Sequence, residues 1–186
     1  MTTPLIDRLM DRFPPVRPSE SLQWGFRFHR TMESSAGYVW PEPGNWAEAP
    51  GPILDHTGPC PRAVGDGICV GKNIRGAQSG GYRHDSGIVL IVGWRPSDVL
   101  GKDGSKVRLS CAWVGRRISW DDLRSHLSGV DMSRANLYGA NLTDANLTGT
   151  DLSRANLSRA NLSDADLTNA NLTGAWLPDA NLTGVR

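Results

Sequence analysis

The sequence predicts a chain in two parts: a small α+β domain with an antiparallel sheet over residues 1–129, and a short β-solenoid over residues 130–186. Three observations lead to this class. From Val130 the chain repeats every five residues through eleven units without an insertion. Before that point two apolar runs, GIVLIVGW (87–94) and VRLSCAWV (107–114), read as strands. The parts also differ in composition. Residues 130–186 hold 8 Asn and 10 Leu, whereas the first 129 residues hold 2 Asn and 9 Leu.

The elements follow in chain order. Residues 3–13 (TPLIDRLMDRF) fit a short amphipathic helix with Leu5, Ile6, Leu9, Met10 and Phe13 apolar, stopped by Pro14 and Pro15. Residues 37–81 carry 10 Gly and 6 Pro in 45 positions, a loop-rich stretch whose Trp40, Trp46, Ile53 and Leu54 imply packing. Residues 87–94 have the unbroken apolar character of a buried central strand. A turn region over 96–105 and a second strand over 107–114 would complete a long antiparallel hairpin. A linking helix over about 121–128, capped by Ser119 or Asp121, leads into the first repeat.

The repeat places Met132, Leu137, Leu142, Leu147, Leu152, Leu157, Leu162, Leu167, Leu172, Leu177 and Leu182 five apart. A small residue, nearly always Ala, stands two places before each, with Val130 and Thr150 as exceptions. Period five suits neither a helix nor a plain strand. A helix would place these leucines on every side, and its Asn and Gly would each cost several tenths to about 1 kcal/mol. A short extended piece followed by a turn does fit. The small residue and the Leu then point into a narrow interior, and Asn, Asp, Ser and Thr face outward and bond the turns.

Units of the form A(N/D)LXX in register are those of the pentapeptide-repeat family, which residues 130–184 resemble. The resemblance implies a right-handed, four-sided β-helix with one unit per side. Residues 130–149 and 150–169 share 13 identities in 20, which independently supports a coil of that length. Asp131 should then stack on Asp151, Arg134 on Arg154 and Asp144 on Asp164, at the strand spacing of about 4.8 Å. Eleven units make about 2.75 coils, a rod only about 13 Å long that needs the preceding domain as a cap. The N-x-S/T sequons at Asn141, Asn146, Asn156, Asn161, Asn171 and Asn181 arise from the repeat itself and are not read as glycosylation sites. The segments 40–52, 65–81 and 98–108 resemble a domain that precedes pentapeptide repeats in actinobacterial and actinophage proteins, implying a bacterial or phage origin.

Charge narrows the function classes. The chain has 20 basic and 19 acidic residues, hence +1, divided as +3 over residues 1–129 and −2 over 130–186. No direct nucleic-acid contact is expected from such a balance. Some pentapeptide-repeat proteins imitate DNA and bind type II topoisomerases such as gyrase, to inhibit or protect them. That activity needs a long, coherently acidic rod, whereas here 6 Asp interleave with 4 Arg. With no run of about 18 apolar residues, no membrane span is expected. The opening MTTPLIDRLMDRF has charges within its apolar stretch, against a secretory signal. Three cysteines, Cys60, Cys69 and Cys111, cannot all pair, and they fit a reducing cytoplasm, or a virion if the chain is phage-encoded.

Candidate chemistry in the first part is thin. Residues 65–73 (GDGICVGKN) approximate a phosphate loop, but Asp66 would repel phosphate and Asn73 stands where a magnesium-binding hydroxyl is needed. Residues 76–81 form a Gly-rich turn before a strand. His56 with Cys60, or Cys60 or Cys69 with His56 or His84, lacks metal or nucleophile spacing. A nucleotide-binding or ADP-ribosyltransferase-like cleft would have to collect Arg27, His29, His56, His84 or Arg75 without a clear catalytic Glu. We therefore expect a non-enzymatic protein-interaction module with no cofactor, whose partner is another protein or a second copy. Its candidate contacts are Trp176, Tyr138 and Arg159 on one solenoid side, beside Asp179, and Trp40 and Trp46 in the loop-rich stretch. Trp176, in place of an outward Asn or Asp, either anchors a partner or packs on the last turn. Asp131, Arg134, Asp151 and Arg154 are expected to form a mixed, salt-bridged surface.

Overall fold

The structure, a computed structural model, describes residues 4–29, 39–49, 68–72, 87–102 and 106–186. Helix α1 (Leu5–Arg12) buries Leu9 and Met10. Seven strands follow: β1 (Gln23–His29), β2 (Asn45–Glu48), β3 (Ile68–Gly71), β4 (Ile88–Trp94), β5 (Val99–Lys102), β6 (Lys106–Leu109) and β7 (Cys111–Ser119). They form one sheet in the order β2-β7-β4-β1-β3-β6-β5, with every pairing antiparallel. Strand β4 lies inside the sheet and is covered on both faces, so its apolar run is unbroken. Val89 and Ile91 join Phe26, Phe28 and Ile118 on one face, while Leu90, Val92 and Trp94 join Val70, Leu109 and Val114 on the other.

The expected hairpin is corrected. Residues 107–114 are not one strand but break at Ser110. The part before the break, β6, pairs with β3 and β5, and only β7 pairs with β4, with Ile88 opposite Ser119 and Gly93 opposite Trp113. Local chemistry forces the break. Pro96 opens a 3-10 turn (Pro96–Asp98), and the Arg95 N–H donates to the Asp98 carboxylate at 2.8 Å. The Ser110 N–H then donates to the Asp98 carbonyl at 2.9 Å, pinning the kink to that turn. The expected turn region thus contains strand β5.

Helix α2 (Trp120–Arg124) starts at Ser119, whose hydroxyl accepts from Asp122 N–H at 3.0 Å while the Asp122 carboxylate accepts from Ser119 N–H at 3.3 Å. This segment roofs the first coil. Trp120 Nε1 donates to the Asn141 carbonyl at 2.7 Å, Arg124 to the Thr143 carbonyl, and Ser128 Oγ to the Thr148 carbonyl at 3.0 Å. Thr150 is explained here: buried among leucines, its hydroxyl donates to the Leu127 carbonyl at 2.9 Å. One apolar core therefore runs from Phe28, Trp120 and Leu127 into Leu137 and Leu157.

From residue 131 onward, short extended pieces bridge in parallel to partners 20 positions on: Asp131–Asp151, Asn136–Asn156, Asn141–Asn161 and Asn146–Asp166, then Asp151–Asn171, Asn156–Trp176 and Asn161–Asn181. From Met132 to Leu167 each inward residue's N–H donates to the residue 19 positions on, in the next coil, as Leu137 does to Asn156 at 2.8 Å. Each corner residue is left-handed, φ 56 to 59° at Arg134, Asp144, Arg154, Arg159, Asp164, Asn169 and Asp179, with Gly at the other corners. The preceding Asn or Asp compensates. Its side chain accepts the N–H two residues on, as in Ser133 to Asp131 at 2.9 Å and Thr143 to Asn141 at 3.1 Å. Met132 and the leucines through Leu162 are fully buried. Leu167, Leu172 and Leu177 are partly buried. Leu182, expected inside, is 48% exposed: like Leu167, Leu172 and Leu177 it has no residue of this sequence 20 positions on to cover it, and it belongs to the outermost unit.

Candidate interaction face

One side of the solenoid departs from the repeat. Stacked coil on coil, its outward columns read Asn136–Asn156–Trp176, Tyr138–Ser158–Pro178 and Gly139–Arg159–Asp179. On the sides beginning at Asn141 and Asp131 the outward column stays Asn or Asp, and its amides bond from coil to coil. Asn181 Nδ2 donates to Asn161 at 2.9 Å and Asn171 Nδ2 to Asp151 at 3.1 Å. Asn156 meets Trp176 instead.

Trp176 and Pro178 change together for a physical reason. An Asn at 176 would accept the N–H of residue 178, and proline has none. Removing acceptor and donor together leaves nothing unpaired. The backbone ladder is also intact: Trp176 N–H donates to Ala155 at 2.9 Å, Leu157 N–H to Trp176 at 2.7 Å and Arg159 N–H to Pro178 at 2.9 Å. The indole does not fold down onto the last turn. It is 65% exposed, the most exposed large aromatic among the described residues. Beside it Arg159 sits 5.9 Å from the Tyr138 ring centroid and 3.7 Å from the Asp179 carboxylate. Tyr138, Arg159 and Trp176 therefore share one side, while Trp40 and Trp46 belong to the sheet.

Trp40 is corrected as a contact. It is 3% exposed, packed in the core behind the sheet with the Arg27 guanidinium 5.1 Å from its ring. Trp46, on β2, is half-buried. Its ring meets Trp113 edge-on at 5.5 Å and carries the Arg95 guanidinium at 4.0 Å, which Glu20 holds with two 2.7 Å bonds. These contacts use Trp46 to close the sheet's end.

The expected salt-bridged surface is also corrected. Asp131 and Asp151 accept from Ser133 and Ser153 N–H, each at 2.9 Å. The Ser153 backbone N–H, foremost, holds the Asp151 carboxyl below its ordinary range. Arg134 and Arg154 form no ion pair among the described residues. They stand at the corner shared with the Trp176 side, a placement the sequence reading missed. The signal was available: the fifth residue of a unit is a corner and borders two sides.

Of the catalytic candidates, Arg27 donates to the Cys69 carbonyl. His56, Cys60, Arg75, residues 76–81, His84 and the His29 side chain lie outside the described residues, as do Asp66 and Asn73. Cys69 is disulfide-bonded and Cys111 is free, so the three cysteines are not all paired, and the one bond stands against the expected fit to a reducing compartment. Burial, foremost, pushes the Cys111 thiol up. Among the described residues no three His, Cys, Asp or Glu side chains group as metal ligands, and no helix is long and apolar enough to cross a membrane.

Comparison with known proteins bears on the repeat alone. Residues 124–154 and 145–184 match the family model of pentapeptide repeats, in 8 copies. No curated protein matches the chain. Similar solved structures include a pentapeptide repeat protein from the Arabidopsis thaliana thylakoid lumen, 39% identical over 32% of this chain and 44% of its own, with a TM-score of 0.28. Another, from Nostoc PCC 7120, is 32% identical over 31% of this chain and 60% of its own, with a TM-score of 0.24. HetL of Nostoc sp. strain PCC 7120, described as involved in heterocyst differentiation regulation, is 36% identical over 31% of this chain and 36% of its own, with a TM-score of 0.22. The chain thus spans less than two thirds of each of these proteins.

Proposed function

Starting from residues 124–184 as a stretch of pentapeptide repeats, we propose that this protein is a non-enzymatic protein-interaction module whose contact side is the one carrying Trp176. The observation that supports this reading is the paired change at Trp176 and Pro178. It ends a side-chain ladder, keeps the backbone ladder and displays a large indole to solvent. Tryptophan, tyrosine and arginine are the residues on which binding energy concentrates at protein interfaces. Burying an indole against a partner supplies several kcal/mol of apolar transfer, while leaving it in water supplies none. The sheet and α2 serve as the roof of the rod. The setting, from the resemblance of residues 40–52, 65–81 and 98–108, is a bacterium or its phage.

The reading departs from DNA mimicry, because the aspartates do not form a continuous acidic band. In a supercoiling assay the purified protein should leave gyrase unaffected. The direct test is Trp176→Ala. The exposed ring contributes little to stability, so unfolding free energy should change by no more than about 0.5 kcal/mol. Capture of the native partner, quantified by mass spectrometry from host extract, should fall sharply. Equal capture by both proteins would remove this side as the contact.

A further inference from the structure

The Trp176 side is bounded by two corners. Arg134 and Arg154 stack on one and Arg159 on the other, so three guanidinium groups flank Tyr138 and Trp176, against one carboxylate at Asp179. The aspartates that could neutralise Arg134 and Arg154 are turned to backbone N–H groups. Both arginines are exposed. Asp144 and Asp164 occupy the diagonally opposite corner. On this side and its two corners three positive groups thus stand against one negative, with the carboxylates of Asp131 and Asp151 on the neighbouring side.

Resting on the interaction reading above, we propose that this side binds an acidic polypeptide segment carrying a large apolar side chain, the apolar group on Trp176 and the carboxylates on Arg134, Arg154 and Arg159. Guanidinium groups on a rigid β-helix corner present donors in a fixed fork suited to carboxylates. Their backbone is held by the inter-coil bonds of Arg134 N–H to Ser153 and Arg154 N–H to Thr173. Little ordering of the backbone is then required on binding. Nucleic acid is the less fitting anion, since its affinity grows with the number of phosphates neutralised and only three arginines gather here.

The test uses the full chain on an array of synthetic peptides graded in Asp and Glu content, with and without a central Leu or Phe. Lys-rich peptides and a single-stranded DNA oligonucleotide serve as comparators. Retention should rise with acid content, require the apolar residue and weaken with added salt. The double variant Arg134→Asn, Arg154→Asn should bind the best peptide about tenfold more weakly. Asn suits the corner, because Asn169 already holds the same turn at φ 58°. Should the variant fail to fold, the salt titration of the unsubstituted protein decides. The proposal is overturned if neutral or Lys-rich peptides are retained equally, if the oligonucleotide is held more tightly than any acidic peptide, or if no peptide is retained. Loss of partner capture by Trp176→Ala, with an array indifferent to charge, would leave the interaction reading standing and remove only this one.

Discussion

Leu157 shows what a single position contributes. Its side chain is wholly buried between coils, and its N–H is committed to Trp176 at 2.7 Å. Leu157→Asp would bury a carboxylate among leucines with no partner, at a cost of several kcal/mol. Chemical denaturation should show that loss, and an unchanged midpoint would contradict the inward register. Outward residues behave differently, because each chooses among neighbours. Asp131 lies near Arg134 in sequence, which suggests an ion pair, but its own turn offers an N–H two residues on. An exposed ion pair is worth about 0–1 kcal/mol and holds two long side chains still, so the short turn bond prevails. Inward and outward positions are legible from spacing alone. Partner choice among outward polar groups is not, since it depends on distances of a few tenths of an ångström.

At the level of elements, the side-chain turns that lead into the coil corners couple stability to pH. The Ser153 backbone N–H, foremost, lowers the Asp151 carboxyl from its ordinary 3.8, and the Thr168 side chain, foremost, does the same for Asp166. A carboxyl lowered by folding adds stability that is present above its unfolded value and is lost as pH falls through the folded one. Thermal unfolding followed by circular dichroism should therefore move to lower temperature as pH falls from about 5 to about 2, by a modest amount because both groups face solvent. No shift over that interval would show that these turn bonds do not matter to the fold. The elements of the sheet were legible to different degrees. Strand β4 is plain in its apolar run, α1 in its periodicity and α2 in its Ser119 cap, although α2 ends at Arg124, short of the expected 128. The break at Ser110 is not, because it is imposed by Asp98, a residue 12 positions earlier.

Across the whole molecule, the roof and the rod share one core. Trp120, Leu123 and Leu127 lie over Met132, Leu142 and Leu147, and the hydrogen bonds of Trp120, Ser128 and Thr150 stitch the seam. We expect the full chain to melt in a single transition, and residues 130–186 alone to show no cooperative melting by calorimetry. Two separated transitions would mean that the rod stands by itself. The twenty-residue pairing has a further bearing on how such a chain can change over generations. Loss or gain of one residue within the repeat would turn every later leucine outward, so such events should be purged. Gain of five would keep the leucines inside but rotate all later side chains by a quarter turn, carrying Trp176 away from Tyr138 and Arg159. Only a gain of twenty would lengthen the rod with every side preserved, and the 13 positions shared by residues 130–149 and 150–169 are what a duplication of that length would leave behind.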